Sequence, residues 1–208
     1  MDGLVTNIAL VAGVGGSGAG APLIVLTGVA GLVAGAFSMA LGEYASVETQ
    51  NDSVRAEVTV EHDELRRHPA AEKAELVASF VRMGLTRKTA QQVAEEVHTD
   101  PSLAVRVHIN QELGVNPDEQ PSPWVAGGSS FLCFAVGALV PLIPYLLGFD
   151  SLAAGLTAGA TGLMLAGALA SRFTTRSWWL GGLRQVGFGA IAAVATYLVG
   201  ALIGVSMG

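Results

Sequence analysis

The stretch "GLVAGAFSMALGEYASVETQND", residues 31–52, changes from small apolar residues to polar and charged ones within a few helical turns. A pattern of this kind predicts a helix that leaves a hydrocarbon layer and continues into water. Met39 and Glu43 stand one turn apart at this transition, so they share a helix face. Together they offer one soft and one hard ligand, a combination that a borderline ion such as Fe²⁺ accepts. The alternative is that Glu43 only marks the wet end of the helix and Met39 only packs.

The rest of the chain is also apolar in long runs. Of its 208 residues 51% are hydrophobic and 13% charged, and the mean hydropathy is +0.52, whereas about a quarter of the residues are charged in soluble domains. The net charge of −6 excludes nucleic acid as an expected partner, since phosphate binding needs a basic surface. Cys133 stands alone in an apolar run, where we expect a packed thiol. The apolar segments are residues 3–19, 22–47, 124–148, 151–171 and 183–207.

These segments predict an all-α protein with five transmembrane helices surrounded by membrane lipid. The last four are long enough for a hydrocarbon core of about 30 Å, which takes about 20 helical residues. The first reaches only about 21 Å, so we expect a first helix that is truncated at its N-terminus; a short or re-entrant segment is the alternative. The predicted division is helices one and two at 1–47, a polar block at 48–121, and helices three to five at 122–208.

Basic residues give this arrangement an orientation. They fall either in the polar block or in and near the later loop 172–182, which holds Arg172 and Arg176. The connection at 148–151 has none. Because loops rich in Lys and Arg stay in the cytoplasm, the polar block and the loop are both expected on the cytoplasmic side. The Ala- and Gly-rich composition, without an organelle-targeting sequence, favours a bacterial plasma membrane for this multi-pass integral protein.

The polar block has the signals of three or four short amphipathic helices. One begins at Pro69 and ends at Gly84, which are favoured start and stop residues. Thr86 and Asp100 are suitable N-cap residues for the next two helices. Gly114 follows the last of them. We therefore expect a small helical domain between the second and third membrane helices.

Glutamates recur in this block as two pairs with a spacing of three residues, one pair on each side of a break at His68–Pro69. Each pair shares a helix face, and a chain reversal at the break would bring four carboxylates together. A divalent cation relieves the mutual repulsion of such a cluster; the alternative is that the acids are merely solvated at the surface. A further glutamate, and a histidine one turn before it, stand on the last helix. The candidate metal ligands are Glu61, Glu64, Glu72, Glu75, Glu112 and His108.

Several stretches form longer motifs: "DGLVTNIALVAGVGG" (2–16), "AGAFSMALGEYASVETQND" (34–52), "GALVPLIPYLL" (137–147) and "RQVGFGAIAAVATYLVGALIG" (184–204). They resemble the vacuolar iron transporter family, which includes a yeast vacuolar iron and manganese importer and nodulin-like plant relatives. The resemblance extends over essentially the whole chain, and the second stretch is its most specific part.

The resemblance implies a homodimer of five-helix subunits with an ion path at the dimer interface and a cytoplasmic metal-binding domain. It implies exchange of Fe²⁺, or Mn²⁺, for protons. It assigns the ion path to Asp2, Met39 and Glu43, and the domain's metal ligands to Glu61, Glu64, Glu72, Glu75 and Glu112. Ile109 departs from the family pattern, which has another glutamate there, so we expect fewer bound ions unless the adjacent His108 compensates.

Two other classes of function are open. A membrane-anchored metal sensor or storage adaptor would carry the same carboxylate cluster without transport, but it would not need Asp2, Met39 and Glu43 along a path. A membrane enzyme is disfavoured, because the chain has no Ser/His/Asp order, no P-loop and no G-x-S-x-G motif. Together with the family resemblance, the sequence therefore predicts a transporter that is not an enzyme, and the resemblance implies that it moves Fe²⁺ or Mn²⁺ out of the cytoplasm against protons.

Overall fold

The computed structural model describes residues 1–175 and 177–207, so Arg176 of the predicted cytoplasmic loop lies outside the described residues. The described residues contain α-helices and short 3₁₀ turns and no strand, which confirms the all-α class. The helices are α1 (Asp2–Gly16), α2 (Ala21–Arg67), α3 (Pro69–Arg82), α4 (Arg87–Val97), α5 (Pro101–Leu113), α6 (Pro123–Leu139), α7 (Ile143–Leu146), α8 (Leu152–Ala170) and α9 (Trp178–Met207).

The chain forms two compact units. The first comprises Met1–Glu43 and Trp124–Gly208, and the second comprises Tyr44–Pro123. Helix α2 contributes to both: its apolar part belongs to the first unit, and its polar continuation to Arg67 belongs to the second. The transition from apolar to polar residues within one unbroken helix is therefore confirmed.

The first unit consists of apolar helices that approach one another closely. Among the described residues, four helical stretches are long and apolar enough to cross a membrane: Ala21–Arg67, Pro123–Leu146, Leu152–Phe173 and Trp178–Val205. Helix α1 is apolar but shorter. It packs against α9 where a Cβ on Gly200 would overlap the carbonyl oxygen of Gly13. Small residues allow this close approach. In lipid, dispersion contacts between closely packed helices stabilise their association.

Two prolines, Pro141 and Pro144, interrupt the third apolar segment. Helix α6 ends at Leu139, a 3₁₀ turn covers Val140–Leu142, and α7 follows. Pro141 lacks the N–H that would bond back to the carbonyls one turn earlier. The side-chain amide of Asn7, buried in α1, donates to a neighbouring carbonyl in this turn, that of Ala138. The break is thus held by a hydrogen bond between helices, which keeps a backbone acceptor satisfied away from water.

The start of the last apolar segment differs from the prediction. Helix α9 begins at Trp178 rather than near residue 183, so part of the predicted loop 172–182 is helical. The residues Trp178–Gly182 are apolar and contain no helix-breaking proline, and they join the same helix as the long apolar run that follows.

The second unit is a set of short helices with the predicted caps. The side chain of Thr86 accepts from the N–H of Thr89, and that of Asp100 accepts from the N–H of Ser102. Gly114 ends α5 with a left-handed backbone, φ 68°, which glycine adopts without strain. A core cluster made of Leu76, Ala94, Val97 and Ala104 joins α3, α4 and α5.

Candidate metal centre

Carboxylates from three helices converge in the second unit. The polar end of α2 carries Glu61 and Glu64, and the chain turns at His68 before α3, which presents Glu72 in its first turn. Ligand oxygens of these three glutamates lie within 4.8 Å of one another. Glu61 also belongs to a second group of the same size, in which the other ligand atoms come from His108 and Glu112 on α5. Glu61 is therefore the residue that the two groups share.

The centre of this cluster is shielded from water. Glu61 and His108 are each 2% exposed and Glu72 is 8% exposed, whereas Glu64 and Glu112 lie at the surface. Ionised carboxylates are seldom buried unless they are paired or bound to a metal. Among the described residues, no Lys or Arg forms an ion pair with any glutamate of the cluster; the paired arginines bind Glu48, Asp52, Asp63 and Asp118 instead.

The imidazole of His108 lies directly among the acids. Its Nδ1 is 3.1 Å from Oε1 of Glu61 and 3.7 Å from Oε2 of Glu72. The 3.1 Å contact lacks hydrogen-bond geometry, since Oε1 of Glu61 has no hydrogen-bond partner among the described residues. Nitrogen and oxygen thus sit side by side as neighbouring electron-pair donors, an arrangement that suits a shared cation.

Electrostatics in the cluster favour neutral forms when no cation is bound. Burial raises the pKa of Glu61 to about 7, with repulsion from Glu112 and Glu72 as the next causes. Burial, followed by neighbouring carboxylates, also raises the pKa values of Glu72 and Glu112. Burial lowers the pKa of His108, and His98 lowers it further. A bound divalent cation would reverse the preference of the carboxylates, by favouring their ionised forms, and would leave the preference of His108 for a neutral imidazole unchanged.

Glu75 and Ile109, both singled out from the sequence, have different environments. Glu75 is exposed and belongs to neither group of close ligand atoms, although its charge acts on Glu61 and Glu112. Ile109 is fully buried, with 0% exposure. The adjacent His108, and not Ile109, is the residue of this pair that reaches the carboxylates.

Sequence reasoning did not single out His98, which lies beside the cluster. Its ring lies next to the ring of His108, with centroids 5.4 Å apart and the two planes nearly perpendicular. The side chain caps the end of α4, where Nδ1 is 2.8 Å from the carbonyl oxygen of Ala94. The sequence gives no signal that His98 lies beside His108, because the two residues belong to different helices and meet only through tertiary packing.

The predicted ion-path residues belong to the first unit. Asp2 opens α1 and is exposed, and Met39 and Glu43 lie on an exposed face of α2. Met39 is 37% exposed. Within the described part of the chain, none of the groups of close metal-ligand atoms includes Asp2 or Glu43.

These features define a class: a multi-pass integral membrane protein with apolar spanning helices and a helical, carboxylate-rich polar unit. The chain belongs to the VIT family, whose family model matches residues 1–201. It is 34% identical over 186 residues to the vacuolar iron transporter of Acanthamoeba castellanii, covering 86% of this chain and 69% of that relative. It is 32% identical over 202 residues to vacuolar iron transporter 1 of Oryza sativa subsp. japonica, with coverages of 94% and 79%. It is 30% identical over 202 residues to vacuolar iron transporter 1 of Eucalyptus grandis, with coverages of 94% and 80%.

These relatives bear on two predictions made above. They are named as transporters, so family membership confirms the expectation that the chain is not an enzyme. Their names refer to vacuoles, and the expectation of a bacterial plasma membrane therefore receives no support from them.

Proposed function

We propose that the protein is a membrane transporter of divalent transition-metal ions, with Fe²⁺ or Mn²⁺ as cargo and protons as the counter-ion. The observation that carries this proposal is the buried cluster around Glu61 and His108, which lacks a Lys or Arg partner among the described residues of a VIT-family chain. Carboxylate oxygens and an imidazole nitrogen suit Fe²⁺ and Mn²⁺. The names of the relatives, all vacuolar iron transporters, support iron as the first cargo to test.

The proposed molecule is a homodimer of five-helix subunits in lipid. Helices one and two would occupy 1–47, a cytoplasmic metal-binding domain 48–121, and helices three to five 122–208. The asymmetry of basic residues supports a cytoplasmic position for 48–121 and for the loop after α8.

The proposed ion path uses Asp2, Met39 and Glu43 at the subunit interface. Exposure of all three side chains on a single subunit leaves them free to meet a second subunit. Glu43 would attract the hydrated cation, and the thioether of Met39 would replace part of its water shell with an uncharged ligand. A proton that competes with the metal for a carboxylate oxygen is the simplest means of exchange.

Purified protein in proteoliposomes tests this function directly. Fe²⁺ or Mn²⁺ should accumulate when a pH gradient is imposed, and uptake should collapse when an ionophore removes the gradient. Protein-free vesicles are the control for leak. Tight Fe²⁺ binding without any flux would contradict the transporter proposal and support the sensor or storage alternative, because the cluster is formed entirely by residues of the Tyr44–Pro123 unit.

A further inference from the structure

Two buried imidazole nitrogens beside the carboxylate cluster have no hydrogen-bond partner among the described residues: Nε2 of His98 and Nε2 of His108. Buried polar atoms are nearly always satisfied in native proteins, so each exception asks for an explanation. The two rings are neighbours, with centroids 5.4 Å apart and planes at 79°. Each ring is therefore close enough to offer a partner to the other.

The proton position in His98 follows from its contact with the backbone. Nδ1 lies 2.8 Å from the carbonyl oxygen of Ala94. A carbonyl oxygen can only accept, so Nδ1 must be the donor. A neutral imidazole has one donor nitrogen and one acceptor nitrogen. Nε2 of neutral His98 is thus a buried acceptor without a donor.

The proton position in His108 follows from the carboxylates that its ring faces. Nδ1 is 3.1 Å from Oε1 of Glu61 without hydrogen-bond geometry. Neighbouring ligands of an octahedral ion with bonds of about 2.1 Å are about 3 Å apart, which matches this contact. For Nδ1 to bind an ion it must be unprotonated, and Nε2 then carries the hydrogen. Nε2 of a metal-bound His108 is therefore a buried donor without an acceptor.

We propose that His98 is a positioning residue for metal binding: when a metal ion occupies the cluster, Nε2 of His98 accepts a hydrogen bond from Nε2 of His108. Rings at this separation with their nitrogens directed at each other would form a bond of about 3 Å. The hydrogen bond holds His108 in the form whose Nδ1 faces the metal. The second ring N–H of a metal-binding histidine usually donates a hydrogen bond to a carboxylate, a backbone carbonyl or a water molecule, and here Nε2 of His98 takes the place of that acceptor.

The consequence is selectivity among divalent metal ions. A site held by carboxylates alone suits Ca²⁺ and Mg²⁺ as well as transition metals, whereas an oriented imidazole favours the transition metals. His98 therefore contributes to selection without contacting the ion. This inference rests on the proposed function, since it assumes that the cluster binds metal.

The experiment uses the full chain in detergent micelles, with Co²⁺ and Ca²⁺ as probe ions. His98→Leu removes the acceptor, and His98→Gln keeps an acceptor oxygen near the position of Nε2. His98→Leu is expected to weaken Co²⁺ binding about 10- to 100-fold and to leave Ca²⁺ binding unchanged, while His98→Gln recovers most of the loss. His62→Leu, at an exposed histidine on α2, is the matched control.

A second readout separates positioning from packing. Bound Co²⁺ shifts the N–H proton of a ligating histidine far outside the normal proton spectrum. We expect one such resonance, protected from solvent exchange, in the wild type and in His98→Gln, and its loss in His98→Leu. Circular dichroism confirms that each variant is folded.

The outcomes distinguish the two proposals. If His98→Leu binds Co²⁺ as tightly as the wild type and keeps the protected resonance, His98 is only a packed ring and this inference is wrong. If Glu72→Gln combined with Glu75→Gln leaves Co²⁺ binding of the otherwise unchanged chain intact, the metal cluster itself is wrong, and the inference falls with it.

Discussion

Oε1 of Glu61 and Nδ1 of His108 lie 3.1 Å apart in the interior of the Tyr44–Pro123 unit, and the contact is not a hydrogen bond. Burial lowers the pKa of His108, so this contact is not maintained by a charged imidazolium near neutral pH. Burial and neighbouring acids raise the pKa of Glu61 to about 7. In the absence of metal, a proton on Glu61 is the simplest way to relieve its repulsion by the neighbouring carboxylates. A metal ion must displace this proton in order to bind.

Metal affinity should therefore increase with pH up to about 7 and level off above. The reason is that a proton and a cation compete for the same carboxylate of Glu61 while its pKa lies near 7. Titration of the full chain with Mn²⁺ at several pH values measures the affinity, and a pH indicator in weak buffer counts the protons released. Affinity that does not change across pH 7 would contradict a protonated Glu61 in the metal-free cluster.

The stability of the metal-free protein should decrease with pH over the range in which the metal affinity increases. The folded-state pKa of Glu61 lies above its ordinary value of 4.5, so the fold binds this proton more tightly than the unfolded chain does. Its contribution to stability is complete below pH 4.5 and is lost as the pH rises through about 7. Thermal unfolding in the presence of a chelator should show a lower Tm above pH 7 than below it, and Mn²⁺ should restore the Tm.

Glu72→Gln combined with Glu75→Gln should weaken Mn²⁺ binding and raise the Tm of the metal-free protein. Both effects follow from the removal of negative charge near Glu61, since these carboxylates repel it. Glu95→Gln combined with Glu96→Gln is the matched control, because it removes the same charge from exposed positions on α4. Calorimetric titration and thermal unfolding measure the two effects. Equal Mn²⁺ affinity in the two double variants would mean that Glu72 and Glu75 are solvated surface acids and do not bind metal.

Met39→Leu should lower Fe²⁺ flux in proteoliposomes although its volume is close to that of the native residue. Leu fills the space without the sulfur atom, so the comparison separates ligation from packing. Met83→Leu, at an exposed methionine just after α3, controls for a general effect of losing a thioether. Fe²⁺ flux equal to that of the wild type in Met39→Leu would mean that the thioether only fills space.

The proposed membrane orientation can be tested by cysteine labelling after Cys133→Ser removes the native thiol, which is exposed on the single subunit and not packed as the apolar run suggested. Phe173→Cys follows α8 at a position that is 91% exposed, and Phe149→Cys precedes α8 at a position that is 61% exposed. A membrane-impermeant maleimide should label the first from the cytoplasmic side only and the second from the opposite side only. Labelling of both positions from one side would contradict the predicted topology.

Much of the fold follows from local sequence signals. Hydrophobic runs located the apolar helices, and the passage from apolar to polar residues predicted that α2 continues beyond the membrane segment. Pro69, Thr86, Asp100 and Gly114 marked the helix ends of the polar unit, because capping depends on residues within one turn. The start of α9 was predicted several residues late, since the apolar residues Trp178–Gly182 carry no strong boundary signal.

The sequence by itself determined which residues could bind a metal, because the spacing of the glutamate pairs sets the helix face that each pair shares. Only the tertiary structure decided that Glu61 is buried and shared between two groups, that His108 rather than Ile109 reaches it, and that His98 stands behind His108. These relations depend on the packing of α2, α3, α4 and α5, so they arise from contacts between residues far apart in the chain. Burial then turns ordinary acids into a group with a raised pKa, which is a property of the surrounding helices and not of the residue alone.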